Sequence, residues 1–239
     1  LTRFLLPISF ALALFLISQG VPQTMSGPAS VTTLEGGTQA IARGPVATHE
    51  AIKMFGTNGG GFFAANAAHP FENPTPFSNI VLNLFLFLGT ITNFYAFGIW
   101  MKKRKHGLVL VGAISVLVLL FLAMTVGGEL GGNPALDSLG IDQSLGNMEG
   151  KEVRFGATLS ALWAVSTTST TNGGVNAMHD SFTALGGMAM LFGMSLNSLF
   201  AGVGTGVMNL LTYVFLAAFM GALMIGRAPV YLGKKLESD

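Results

Sequence analysis

Four long apolar tracts constrain the fold of this chain more than any other feature. They cover residues 4–20, 80–101, 107–128 and 181–226, and the last three contain no Asp, Glu, His, Lys or Arg. About 20 apolar residues cross a bilayer as a helix, so the second and third tracts predict single membrane spans. Charged residues make up only 10% of the chain, whereas soluble domains carry roughly 25%. We therefore predict an all-α membrane protein.

The first tract has two interpretations. It follows Arg3 and ends near the small residues Ser18 and Gly20, a pattern that a secretory signal peptide also shows. The alternative is a membrane helix of the mature protein. Because the chain starts at Leu1, inside an apolar segment and without an initiator Met, we expect it to be a piece of a longer polypeptide.

The fourth tract is too long for one straight span. A continuous helix over these residues would measure roughly 69 Å at 1.5 Å per residue, more than twice the ~30 Å hydrocarbon core. Glycine disfavours the helix interior, which predicts a break at residues 202–206 and makes this segment a candidate gate. Its members are Gly202, Gly204, Thr205 and Gly206. Glycines also allow membrane helices to pack closely against each other. The alternative to a gate is therefore a passive kink.

A basic turn orients the predicted spans. Residues 102–106 read Lys-Lys-Arg-Lys-His between the second and third tracts, and such clusters are typical of the cytoplasmic side. Residues 21–79 and 129–180 then face outward and carry most of the acidic residues. We expect these acids to be solvated loop carboxylates, with a negative outer face that attracts cations.

An internal repeat contains the residues that predict pore loops. The sequence Thr-Asn-Gly-Gly at 57–60, here called the first TNGG turn, recurs at 171–174 as the second TNGG turn. Moderately apolar stretches that predict short helices, 47–55 and 152–166, precede the turns. The pattern predicts tandem membrane helix–pore loop–membrane helix repeats, with units at 1–105 and 106–239.

The residues of the two turns are typical of an ion filter. Non-helical backbone at membrane depth must be buried in protein or line an aqueous cavity, and rings of backbone carbonyls can replace the water shell of a cation. Neutral oxygen ligands suit an alkali ion, with potassium as the expected one, better than a transition metal or a divalent ion. Asn side chains could brace each turn from behind. The predicted filter residues are Thr57, Asn58, Gly59, Thr171, Asn172 and Gly173.

Longer motifs resemble the KdpA family, the potassium-binding, channel-like subunits of the bacterial Kdp potassium-importing ATPase. They are Gly-Thr-Asn-Gly-Gly-Gly-Phe-Phe at 56–63, His-Pro-Phe-Glu-Asn-Pro-Thr at 69–75, Asn-Met-Glu-Gly-Lys-Glu at 147–152, Met-His-Asp-Ser-Phe-Thr-Ala-Leu-Gly-Gly at 178–187 and Ile-Gly-Arg-Ala-Pro at 225–229. The resemblance runs along essentially the whole chain. It implies a fold of the potassium-channel-like transporter superfamily, of which this chain would be the middle two of four repeats.

The resemblance also implies a function and partners. The transported ion would be potassium, without an organic cofactor, at the filter residues named above, and the third repeat would contain a broken helix with a gating segment. Expected partners are membrane lipid, a P-type ATPase catalytic subunit, an accessory subunit and a small single-span peptide. The expected location is the plasma (inner) membrane of a bacterium or archaeon, as a multi-pass protein.

ATP hydrolysis is not expected on this chain. It contains neither a Walker-type loop nor the Asp-Lys-Thr-Gly phosphorylation sequence of P-type ATPases, so catalysis would belong to a partner. Nothing in the composition points to nucleic acid.

Other functions stay open. A sodium-coupled or other secondary cation transporter also uses broken helices, although such proteins usually place ionisable residues inside the membrane. A non-conducting assembly subunit would not need two filter-like turns. A metal site at His49 with Glu50, or at His69 with Glu72, would have too few ligands for zinc.

Overall fold

The structure is a computed structural model that describes residues 2–235, so the outermost residues of both predicted units lie outside it. The long helices are α3 (Pro76–Trp100), α4 (Arg104–Leu130) and α8 (Thr205–Met224), and the shorter ones are α1 (Leu5–Ser18), α2 (Val46–Phe55), α5 (Pro134–Asp137), α6 (Gly156–Ser169) and α7 (Ala184–Leu196). Two small hairpins, β1 (Ala29–Thr32) with β2 (Thr38–Ile41) and β3 (Val230–Tyr231) with β4 (Lys234–Lys235), lie between or after helices. The predominantly helical prediction is confirmed.

α3 and α4 form the central antiparallel helix pair. Both are long and apolar enough to span a membrane, as is α8, which agrees with the predicted spans at 80–101 and 107–128. α3 begins earlier than its apolar tract because Thr75 and Ser78 form a capping box, with Pro76 at the first helical position. Such a cap satisfies backbone N–H groups that the helix itself leaves free.

α1 is part of the helical core. Leu12 and Leu16 are buried and lie in one apolar cluster with Met54 of α2 and Leu86 of α3. The packing of α1 against α2 supports the membrane-helix interpretation of the first tract over the signal peptide.

The two predicted short helices before the TNGG turns are present. α2 matches the predicted stretch 47–55 almost residue for residue. α6 starts and ends a few residues later than the predicted 152–166. α6 packs against α3, α4 and α7, which places the second TNGG turn among the membrane helices.

The fourth apolar tract is interrupted, as predicted, but at different residues. α7 ends at Leu196, residues 197–204 are not helical, and α8 begins at Thr205. The prediction that the break covers 202–206 is therefore wrong at both ends. Asn197 ends α7 in the left-handed conformation (φ 45°), and the Gly206 N–H donates to the Gly202 carbonyl at the start of α8.

Contacts between loops are consistent with two separate ends of the helical bundle. The hydroxyl of Tyr231, after α8, lies 2.6 Å from Nε2 of His106 in the basic turn. At the other end, Arg154 Nε donates to the Asn73 carbonyl at 3.2 Å, which joins the predicted outer segments of the two repeats. The tract from α7 to α8 therefore passes from one end to the other once, as the predicted topology requires.

Candidate ion-binding site

The two TNGG turns have the same backbone conformation. Thr57 and Thr171 both have φ 51°, and Gly59 and Gly173 have φ 77° and 86°. A left-handed residue followed by a bond back to the last helical turn is a common end for a helix. Here the Asn58 N–H donates to the Lys53 carbonyl, and the Asn172 N–H to that of Thr167, both at 3.0 Å. The sequence repeat is thus a structural repeat.

Both asparagines brace their turns, as predicted. Asn58 Oδ1 accepts from the Gly60 N–H at 3.2 Å, and Asn172 Oδ1 accepts from the Gly174 N–H at 3.0 Å. Asn172 also donates through Nδ2 to the Lys53 carbonyl at 3.3 Å. The amide of the second turn is therefore bonded to the short helix that carries the first.

The two turns contact each other directly. A Cβ added at Gly59 would overlap the carbonyl oxygen of Asn172 and lie 2.5 Å from the Gly174 nitrogen. At Gly173 an added Cβ would meet nothing within 4 Å, so glycine is favoured there by its positive φ alone. The structure brings the predicted filter residues of both repeats together.

A cavity of about 710 Å³ lies beside the second TNGG turn. Thr171, Gly173, Thr167, His179 and Asn209 contribute to its lining. Burial lowers the pKa of His179 below its ordinary value, although the charge of Asp180 opposes this shift. A neutral imidazole does not repel a cation in the cavity.

The helix break lies directly against the two threonines of the predicted filter. The Val203 N–H donates to Thr57 Oγ1 at 3.0 Å, and a Cβ added at Gly202 would lie 3.0 Å from Thr171 Oγ1. Phe200 and Ala201 have φ 65° and 32°, values that cost of order 1 kcal/mol or more in residues other than glycine. Of the predicted gate residues, Gly202 and Gly204 lie in the break, whereas Thr205 and Gly206 belong to the first turn of α8.

Sequence reasoning missed the tryptophan that holds the second turn. The indole Nε1–H of Trp163, buried in α6, donates to the Gly174 carbonyl at 2.9 Å. A tryptophan within a predicted pore helix was the available signal, because a buried indole N–H usually needs an acceptor.

The expectation that the acids solvate loops is wrong for three residues. Glu50, Glu72 and Glu129 are fully buried. Glu50 and Glu72 both pair with Lys53, and Glu129 pairs with Lys151 at 2.7 Å. The spacing of Glu50 and Lys53 on one helix face could have indicated the first pair, whereas the others join segments far apart in the sequence.

The zinc alternative is not supported by these contacts. Glu72 is engaged by Lys53 at 2.9 Å and by the N–H groups of Phe62 and Phe63, while the His69 ring stacks on Phe63 with centroids 4.1 Å apart. Burial lowers the pKa of His69, although Glu72 opposes this shift. Within residues 2–235 no group of three or more His, Asp or Glu side chains could hold a metal ion.

Comparison with known proteins decides the family. The family model KdpA, described as the potassium-transporting ATPase A subunit, matches residues 1–239. The chain belongs to the KdpA family. This membership confirms the resemblance drawn from the motifs and does not favour the secondary-transporter alternative.

Curated members of the KdpA family are similar along the whole chain. Proteins named potassium-transporting ATPase potassium-binding subunit are 53% identical over 99% of the chain in Halobacterium salinarum, 50% over 100% in Delftia acidovorans and 51% over 98% in Klebsiella pneumoniae. The chain spans 42%, 43% and 42% of their respective lengths.

Proposed function

We propose that this chain binds potassium selectively at the two TNGG turns and conducts it as part of a potassium-importing P-type ATPase. The observation that carries the proposal is the repeated turn. Two short helices end in the same left-handed threonine, the same Asn brace and the same positive-φ glycine, and the turns are in contact. The names of the relatives support potassium as the ion.

The proposed ligands are backbone carbonyls of residues 57–59 and 171–173, with the threonine hydroxyls of Thr57 and Thr171. Carbonyl oxygens can replace the hydration shell of an alkali ion without the strong charge that would trap it. α2 and α6 end at Phe55 and Ser169, just before the turns, so the negative ends of both helices favour a cation there.

The break at 197–204 is proposed as the gate beneath this filter. Its backbone bonds to filter residues and to the end of α6, where the Ala201 N–H donates to the Ser169 carbonyl at 2.8 Å. Residues in costly conformations cluster at segments that switch between two positions, and Phe200 and Ala201 have such conformations. Gly202 and Gly204 give the break flexibility, and the hydroxyl of Thr205, 3.5 Å from the Gly202 carbonyl, is placed to stabilise a closed state.

The complete transporter is proposed to be a multi-pass complex in a bacterial or archaeal plasma membrane. Its other components would be a P-type catalytic subunit that hydrolyses ATP, an accessory subunit and a small single-span peptide. This chain would be its non-catalytic ion-binding part.

Transport by the assembled complex in sealed vesicles tests the proposal. We expect ATP to drive rubidium or potassium uptake when no sodium gradient is present, with sodium a poor substitute for potassium. Uptake driven by a sodium gradient without ATP would instead identify a secondary transporter.

A further inference from the structure

Lys53 bonds to both TNGG turns through its carbonyl and to two buried carboxylates through its side chain. Its carbonyl accepts from the Asn58 N–H inside the first turn and from Asn172 Nδ2 of the second turn. Its ammonium group, 1% exposed, contacts the carboxylates of Glu50 and Glu72. We call Glu50, Lys53 and Glu72 the buried ion cluster.

Glu72 connects the buried ion cluster to the chain that leaves the turn. Glu72 Oε2 lies 2.9 Å from Lys53 Nζ, and its Oε1 accepts from the Phe62 and Phe63 N–H groups at 2.5 and 3.0 Å. Bonds of backbone N–H groups to a charged acceptor are stronger than bonds between neutral groups. The helix before the turn and the segment after it are therefore fixed to one another through Lys53.

The second TNGG turn is held by neutral groups instead. Thr167 has the same position relative to the second motif as Lys53 to the first, and its Oγ1 accepts from the Gly173 N–H at 3.0 Å. Trp163 donates to the Gly174 carbonyl, and Ala164 stands where the first repeat has Glu50. The charged cluster thus belongs to one turn of the pair.

We propose that Lys53 is a positioning residue, which with Glu50 and Glu72 fixes the geometry of the first TNGG turn and so sets the affinity and selectivity for potassium. This inference rests on the proposed function of the turns. Buried ion pairs often add little to stability when they are compared with neutral replacements. A neutral replacement can therefore separate an effect on the filter from an effect on folding.

A triple variant in the assembled ATPase complex tests the inference. Lys53→Met, Glu50→Gln and Glu72→Gln together remove every charge of the cluster, so that no buried charge is left unpaired. The matched control is Lys151→Met with Glu129→Gln. That pair is equally buried, but its carboxylate bonds to Asn147 and Thr183 rather than to a TNGG turn. Lys53→Arg, which keeps the positive charge, serves as the conservative variant.

The readouts are the potassium concentration for half-maximal ATPase activity, the ratio of rubidium to potassium stimulation, and thermal stability in detergent. We expect the triple variant to need on the order of tenfold more potassium, with a changed rubidium ratio. The control should keep both values, and Lys53→Arg should lie nearer the wild type. Glu72→Gln alone keeps an acceptor for Phe62 and Phe63 and should give a smaller shift in the same direction, which provides a test if the triple variant fails to assemble.

Wild-type affinity and ion ratio in a stable triple variant, or in Glu72→Gln if the triple variant does not assemble, would overturn the inference. So would an equal shift in the Lys151 and Glu129 control, which would indicate a general structural effect. A wild-type complex without preference for potassium over sodium would contradict the proposed function itself, so the two failures are distinguishable.

Discussion

At the residue scale, Gly59 and Gly173 occupy the same position of the repeated motif, but glycine is required there for partly different reasons. Both have positive φ, which strains any residue with a side chain. Only Gly59 also lies against the partner turn, where Asn172 leaves no room for a Cβ. Steric contact and backbone strain can therefore be distinguished by one substitution at two matched positions.

Serine at either position should weaken potassium affinity and selectivity. We expect Gly59→Ser to have the larger effect, because it must also push the two turns apart, while Gly173→Ser should cost about 1 kcal/mol or more of backbone strain. The measurement is potassium and sodium stimulation of ATPase activity in each variant. Gly187→Ala, in α7 where an added Cβ would meet nothing within 4 Å, is the control. Unchanged selectivity in both serine variants would remove these glycines from the filter.

The residues of the turns were predictable from the sequence, whereas most of their supports were not. The repeated motif identified Thr57, Asn58 and Gly59 with their counterparts, because identical residues in identical settings favour identical backbone. Trp163 bonds to the second turn, which depends on the packing of α6. Glu72 bonds to the backbone just after the first turn, which depends on the path of residues 61–75. Neither has a counterpart in the other repeat, so the repeat gave no signal for them.

At the element scale, the length of the fourth apolar tract predicted a break between α7 and α8 but did not predict where the break begins and ends. Too many apolar residues for one span required an interruption. The sequence pointed to alternating glycines, but the break begins at Asn197, and Phe200 and Ala201 adopt left-handed conformations that their residue types do not predict. Phe200 is held in place by ring contacts with Phe87 and Phe94 of α3.

Alanine at Gly202 and Gly204 should alter coupling rather than ion choice. A methyl group at Gly202 would crowd Thr171 and Thr205, and Gly204 has φ 100°, so the double variant should disturb the closed position of the break. We expect ion leak, or ATP turnover several-fold in excess of transport, with potassium still preferred over sodium. Flux and ATP hydrolysis are measured separately in vesicles. Normal coupling in this variant would make the segment a passive kink.

At the scale of the whole molecule, the predicted topology places the basic turn in the cytoplasm and both TNGG turns open to the outside. The contact of His106 with Tyr231, and the contacts among the outer loops, are consistent with this arrangement. Sidedness itself follows from the clustered bases, and the division of the chain at 105/106 into two repeat units stays a prediction.

Labelling of introduced cysteines checks the sidedness. Residues 1–239 contain no native cysteine, so within them only the introduced position can react. A cysteine in place of Arg104 should resist an impermeant reagent added outside intact cells, whereas one in place of the exposed Asp142 should react. Permeabilised cells, in which both positions should react, are the control. The reverse pattern would invert the topology.

Equilibrium binding of potassium, rubidium and sodium to the assembled complex tests the central claim most directly. If the two TNGG turns form the filter, the wild-type complex binds potassium and rubidium well ahead of sodium, and Gly59→Ser and Gly173→Ser each reduce that preference. Equal affinity for sodium and potassium in the wild type, or a preference that survives in both variants, would contradict the account.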